Sequence, residues 1–269
     1  MNAATKRVRI GGACGFWGDS AMATPQLLQV PGLQYLVYDY LAETTMAILA
    51  RARAKDPALG YATDFVQAVM TPHLRAIHER GIKVISFDSG VKKEGRLMQL
   101  NPSNNALIGE KLAKMSEQVV GKTGEIAVLS ATAQATNQNI WIGEMKKVLA
   151  KPEYSGLKLV SVVYGDDQTD KSYREANGLL TSQPNVKVIV APTTVGVLAA
   201  SQAVKDAGKI GDVYVTGLGL PSEMAGAIQS GATKEFAIWN PIDLGYSATQ
   251  IAYHLVKGDS DGAPGSEIP

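Results

Sequence analysis

An α/β fold of two doubly wound lobes is predicted by three observations. Strand-like apolar runs of about five or six residues alternate with helical patterns of about ten to fourteen, almost throughout. That rhythm indicates a parallel sheet covered by helices on both faces. There are also more strands than one small lobe needs, in a chain of 269 residues that is 45% hydrophobic and long enough for a large core.

The elements follow in order. "RVRIGG" reads as a strand, and "TPQLLQV" as a short helix opened by Thr24 with Pro25 in its first turn. "LQYLVYDY" is a buried strand, "AETTMAILARARAK" has helical period, and "YATDFVQAVMTPHLRAIHER" forms one or two helices meeting at Pro72. "GIKVISF" and "LMQLNP" are strands, and "NNALIGEKLAKMSEQVV" is a helix ended by Gly121. Four strand–helix pairs come next, the strands being "EIAVLS", "LKLVSVVYG", "VKVIVAP" and "DVYVTGLG". Their helices are "NQNIWIGEMKKVLA", "DKSYREANGLLTS", "VGVLAASQAVKDAG" and "PSEMAGAIQSG". "EFAIWN" is read as a last strand and "GYSATQIAYHLVKG" as the last helix, before a Gly/Pro/Ser-rich tail.

Composition excludes several classes. With 26 basic and 25 acidic residues the net charge is +1, which argues against nucleic-acid binding. The lone Cys14 excludes an internal disulfide and a multi-cysteine metal site. His73, His78 and His254 show no ligand spacing, and no G-x-S-x-G elbow is present. No membrane-spanning run and no secretory leader are read, so the chain as written is expected in the cytoplasm. No catalytic group, metal or cofactor is expected.

Three motifs are weighed and set aside. Gly11, Gly12, Gly15 and Gly18 match neither the dinucleotide fingerprint nor a P-loop, so a turn above a strand end is preferred to anion binding. "GKTG" at 121–124 lies between a helix and a strand, the reverse of P-loop order. "GDDQTD" at 165–170 lacks the glycine and distal glutamate of a calcium loop, and is read as helix capping by Asp167, Thr169 or Asp170.

The strand ends carry more. In open α/β sheets ligands sit beyond the carboxyl ends of the strands. Those ends place Asp88, Asn137, Gln138, Asn139, Thr193, Thr194, Trp239 and Asn240 at one rim. Amides and a carboxylate bond hydroxyls in pairs, and an indole covers the apolar face of a sugar ring. The alternative is that each residue only caps its helix. Without an acid/base pair, the set favours binding over catalysis.

From "FDSGVKKEGRLMQLNPSNNALIGEKLAKM" to "FAIWNPIDLGYSATQIAYHLVKGD", about residues 82–269, the chain resembles periplasmic sugar-binding proteins of ABC importers. Within them it is most similar to the rhamnose-binding type, related to the autoinducer-2 receptors. The resemblance implies a type I periplasmic-binding-protein-like fold, two Rossmann-like lobes holding sugar in a cleft, and a periplasmic location for the parent family. The family's cleft pattern falls on Asp88, Asn137, Gln138, Pro192, Thr194 and Trp239. Asn137-Gln138 stands where the autoinducer branch carries Asp-Gln, which favours the rhamnose side.

"VRIGGACGFWGDS", "LQYLVYDYLAETTMAILARARAKDPALGYATDFV" and "GIKVIS", about residues 6–87, instead resemble the start of the acyclic terpene utilisation AtuA-like family. The two resemblances meet within residues 82–88. They imply a first lobe of residues 1–103 plus 241–269, with a foreign α/β fragment at 1–87, and a second lobe of residues 104–240. The leading expectation is therefore an engineered fold chimera with no evolved activity, monomeric and retaining part of a rhamnose-type cleft. A working sugar-binding protein of an importer is the alternative. A terpene or acyl-CoA enzyme, using Asp19 and Glu43 beside the glycine turn, is the third.

Overall fold

The computed structural model describes the backbone of residues 9 and 10 and then residues 71, 72, 74–76, 78, 79, 83–88, 90, 92–133 and 135–263. The elements expected between Gly11 and Met70, with Cys14, the glycine turn, Asp19, Glu43 and also His73, lie outside the described residues. The chain divides into two compact units, Met1–Pro102 with Asn240–Pro269, and Ser103–Trp239.

The unit Ser103–Trp239 is a three-layer sandwich. Its strands are β4 (Gly124–Ser130), β5 (Leu157–Tyr164), β6 (Val186–Ala191) and β7 (Tyr214–Gly217). All pair in parallel, in the order β5-β4-β6-β7. The helices are α1 (Asn105–Val120), α2 (Thr136–Leu149), α3 (Thr169–Ser182), α4 (Thr194–Asp206) and α5 (Pro221–Gln229).

Side chains alternate across the sheet with the two-residue period of a strand. Ile126, Val128, Val188 and Val190 join Leu112, Trp141 and Met145 in the core beneath α1 and α2. Ala127, Leu129, Ile189 and Ala191 join Leu179, Val197 and Met224 in the core beneath α3, α4 and α5. Both faces are thus buried, which is why the strands read as continuous apolar runs. Truncating any one of the fully buried Leu or Ile residues to Ala costs about 2–5 kcal/mol.

Local signals set the ends. Asn104 caps α1 by accepting from the Leu107 N–H at 3.1 Å. Gly121 ends it with φ 81° and donates its N–H to Glu117 O at 2.7 Å. Helices α1 and α2 approach closely because Gly109 has no side chain: a Cβ there lies 2.4 Å from Glu144 Cβ. The Trp141 indole N–H donates to Asn105 Oδ1 at 2.8 Å and ties the same two helices.

One expected strand is reduced. "EFAIWN" contributes only one isolated parallel bridge, Leu218↔Ala237 just past β7, and Thr233 ahead of it makes another with Val215. The Gly217 carbonyl accepts from the Ala237 N–H at 2.9 Å between them. Its side chains still alternate between the two cores: Phe236 packs beneath α3, α4 and α5, and Ala237 and Trp239 beneath α1 and α2.

Among its described residues the other unit has three parallel strands, β1 (Arg9–Ile10), β2 (Val84–Phe87) and β3 (Met98–Leu100), in that order. Helix α6 (Pro241–Lys257) sets Ala248, Ile251, Ala252 and Leu255 against Ile85, at the three- and four-residue spacing of one helix face. It begins at Pro241 rather than near Gly245, because Asn240 caps it and proline suits the first helical position. Residues 71, 72, 74–76, 78 and 79 are helical, as the pattern around Pro72 implies.

Candidate functional site

Strand β4 lies between β5 and β6, so the chain leaves it to one side and later returns on the other. Its carboxyl end is therefore the switch point of the sheet, where α/β proteins form a ligand crevice. Hydrogen bonds build the rim there. The N–H groups of Gly165 and Asp166 donate to Ser130 O at 2.9 Å and Ala131 O at 2.7 Å, fastening the turn after β5 to β4. On the other side, Leu218 N–H donates to Ala191 O at 3.0 Å.

Gln138 is buried on the first turn of α2. Its Oε1 accepts from Ser130 Oγ at 2.8 Å and from Ala131 N–H at 2.9 Å. The amide oxygen is thus spent on holding the end of β4. Beside it, Asn137 Oδ1 accepts from the Gln138 N–H at 2.8 Å. Asn139 lies further out and donates to Ala133 O at 2.8 Å.

Across β4, Pro192, Thr193 and Thr194 are all buried in the turn after β6. Thr194 Oγ1 accepts from Leu220 N–H at 3.1 Å, joining this turn to the one after β7. Trp239 is half-buried against Trp141, with ring centroids 5.4 Å apart and planes tilted by 56°. Asn137, Gln138, Pro192, Thr194 and Trp239 all belong to Ser103–Trp239.

Asp88 and Asn240 belong to the other unit. Asp88 follows β2 with φ 58°. Asn240 is exposed and works as a helix cap: its Oδ1 accepts from Ile242 N–H at 3.0 Å, and its Nδ2 donates to Asp243 Oδ2 at 2.8 Å.

The acidic cluster corrects the sequence reading. The cap position of α3 is Gln168, and no side chain caps it. Asp166 pairs with Lys171 Nζ at 2.6 Å. Asp167 Oδ1 instead accepts from Thr193 Oγ1. Burial pushes the Asp167 carboxyl above the usual range, and the Thr193 hydroxyl pulls it back in part. The periodic pattern gave no signal for this pair, whose partners lie in different strand–helix turns. Among the described residues no group of three His, Cys, Asp or Glu is placed to hold a metal. Among them no helix is long and apolar enough to cross a membrane.

Within Ser103–Trp239 the rim holds amides, hydroxyls and an indole, a set suited to a neutral polyhydroxyl ligand. A solute-binding protein of an ABC transporter from Clostridium phytofermentas, with L-rhamnose bound, is 31% identical, superposes with a TM-score of 0.77, and is matched over 96% of this chain and 82% of its own. A sugar ABC transporter protein from Actinomyces odontolyticus is 38% identical over 71% of this chain and 62% of its own, with a TM-score of 0.59. The curated D-allose-binding periplasmic protein of Escherichia coli is 26% identical over 190 residues, 66% of this chain and 59% of that protein. The chain therefore spans little more than half the length of that curated relative.

Two family models match. That of the acyclic terpene utilisation family protein AtuA covers residues 8–101. The binding-protein model begins at residue 61, well before the junction expected at 82–88, so the two overlap. Binding-protein families hold solutes and do not transform them. With its model matching residues 61–260, the chain belongs to the periplasmic binding protein domain family.

Proposed function

We propose that the chain is the solute-binding component of a sugar ABC importer, working in the periplasm as a monomer and holding a monosaccharide such as rhamnose. The observation that carries this is the hydrogen-bonded rim at the switch point of β4, with Gln138, Thr194 and Trp239 around it. The relative with L-rhamnose bound supports the choice of sugar. Within the rim Asn137 and Gln138 supply amides, Thr194 and Pro192 shape the opposite side, and Trp239 offers an indole face. Asp88 offers a carboxylate, and Asn240 an amide, from their own unit.

Isothermal titration of the chain with L-rhamnose, D-allose, D-ribose and D-arabinose tests it. One sugar is expected to bind with Kd near or below 1 μM, about −8 kcal/mol. Silence with every sugar overturns the reading.

One observation favours a second reading, the AtuA match over residues 8–101. On it, the chain is a splice of two families, made without an evolved activity. It then melts cooperatively and binds no sugar, or binds only at millimolar concentration. The near-complete match to one binding protein supports the first reading over this one.

A further inference from the structure

The turns after β5 and β6 flank β4 on opposite sides, two strand spacings apart, about 10 Å. The bond from Thr193 Oγ1 to Asp167 Oδ1 therefore reaches over the carboxyl end of the central strand. It joins the two walls of the switch-point crevice directly. Thr193 stands between Pro192 and Thr194, the two residues of that wall proposed to face sugar.

The turn that brings Asp167 there is strained. Asp166 and Asp167 both take left-handed backbone angles, φ 53° and 54°, at a cost of about 1 kcal/mol each. Neighbouring contacts hold them in place: Asp166 N–H on Ala131 O at 2.7 Å, Gln168 N–H on Gly165 O at 3.0 Å, and the Lys171–Asp166 ion pair. Strain that the surroundings maintain is characteristic of positions fixed for a purpose. A hydroxyl accepting no competing bond from its own helix, and given instead to a half-buried carboxylate across β4, fixes the rotamer of Thr193 and the path of the 192–194 turn.

We propose that Asp167 is a positioning residue for sugar binding, which through Thr193 sets the place of Pro192 and Thr194 across the crevice. This rests on the reading of the rim as a monosaccharide site. Asp167 acts on affinity through Thr193, not through contact with the ligand.

A double-mutant cycle read by sugar titration tests it, with thermal melting in parallel. Asp167→Ala and Thr193→Val are each expected to weaken Kd about tenfold, or about 1.4 kcal/mol. The double variant is expected to be no weaker than either single one. Asp167→Asn retains an acceptor and Thr193→Ser retains the donor, so both are expected to bind within about twofold of wild type. Losses that multiply in the double variant overturn the proposal. So does failure of the conservative variants to rescue, or an unchanged Kd, whatever happens to the melting temperature. Silence of the unmutated chain toward every sugar is a separate result: it removes the function itself.

Discussion

Gln99 donates its side-chain amide to the carbonyl of Asp88 at 2.9 Å, and this bond explains how an aspartate holds φ 58° at the end of β2. The same amide donates to Leu100 O at 3.1 Å, and Gln99 Oε1 accepts from the buried Ser86 hydroxyl. Asp88 N–H adds a bond to Leu100 O at 3.0 Å. Asparagine tolerates left-handed angles as aspartate does. Asp88→Asn is therefore expected to melt close to wild type while sugar affinity falls at least about tenfold. Gln99→Leu leaves Ser86 and the Asp88 carbonyl without this partner, and is expected to cost about 1–3 kcal/mol in urea unfolding. Asp88→Asn binding sugar as wild type does removes Asp88 from the ligand set.

Gln138 carries a structural duty as well as a proposed ligand role. Gln138→Leu strips the partner from Ser130 Oγ and Ala131 N–H, both at a buried strand end. The expected cost is about 2 kcal/mol of stability, in addition to weaker sugar binding. Chemical denaturation showing less than about 0.5 kcal/mol contradicts the bracing role.

Glu235 predicts a pH effect. Its Oε1 is buried without a hydrogen-bond partner, and burial raises its carboxyl above the ordinary 4.5. The fold therefore disfavours the ionised form. That penalty is present at neutral pH and is relieved as pH falls through the raised value toward 4.5. Glu235→Gln is expected to melt higher than wild type at pH 7, with the difference closing below about pH 4. Equal melting temperatures at pH 7 refute the assignment.

Gly217 is held by geometry alone. Its φ of 147° suits only glycine, and a Cβ there lies 1.8 Å from the Ala191 carbonyl oxygen. Gly217→Ala is expected to destabilise by about 3 kcal/mol or more, read by urea unfolding. A cost below about 1 kcal/mol contradicts the close approach of β6 and β7.

The alternating architecture of Ser103–Trp239 was legible because its strands are buried on both faces and its helices begin and end at ordinary signals, such as Asn104 and Gly121. The positions of Gln138 and Thr194 at strand ends were legible for the same reason. Their bonding was not, since period and spacing do not tell whether an amide faces ligand or backbone. "EFAIWN" misled because an apolar run gives no sign of lying at a sheet edge. Asn240-Pro241 carried a cap signal with Asp243 in the first turn, and the structure shows that cap in place. The Asp167–Thr193 bond was out of reach, because it joins residues brought together only by the strand order.

The unit containing β2 is assembled from two distant pieces of chain, whereas Ser103–Trp239 is one uninterrupted stretch. On the ribosome the uninterrupted stretch emerges whole and is free to fold at once, while Ile85 waits uncovered until α6 has followed it out. Late closure of that core is expected to be the slow step, and a chaperone's opportunity. Residues 103–239 made alone are expected to give a cooperative melt, whereas residues 1–102 made alone are expected to aggregate.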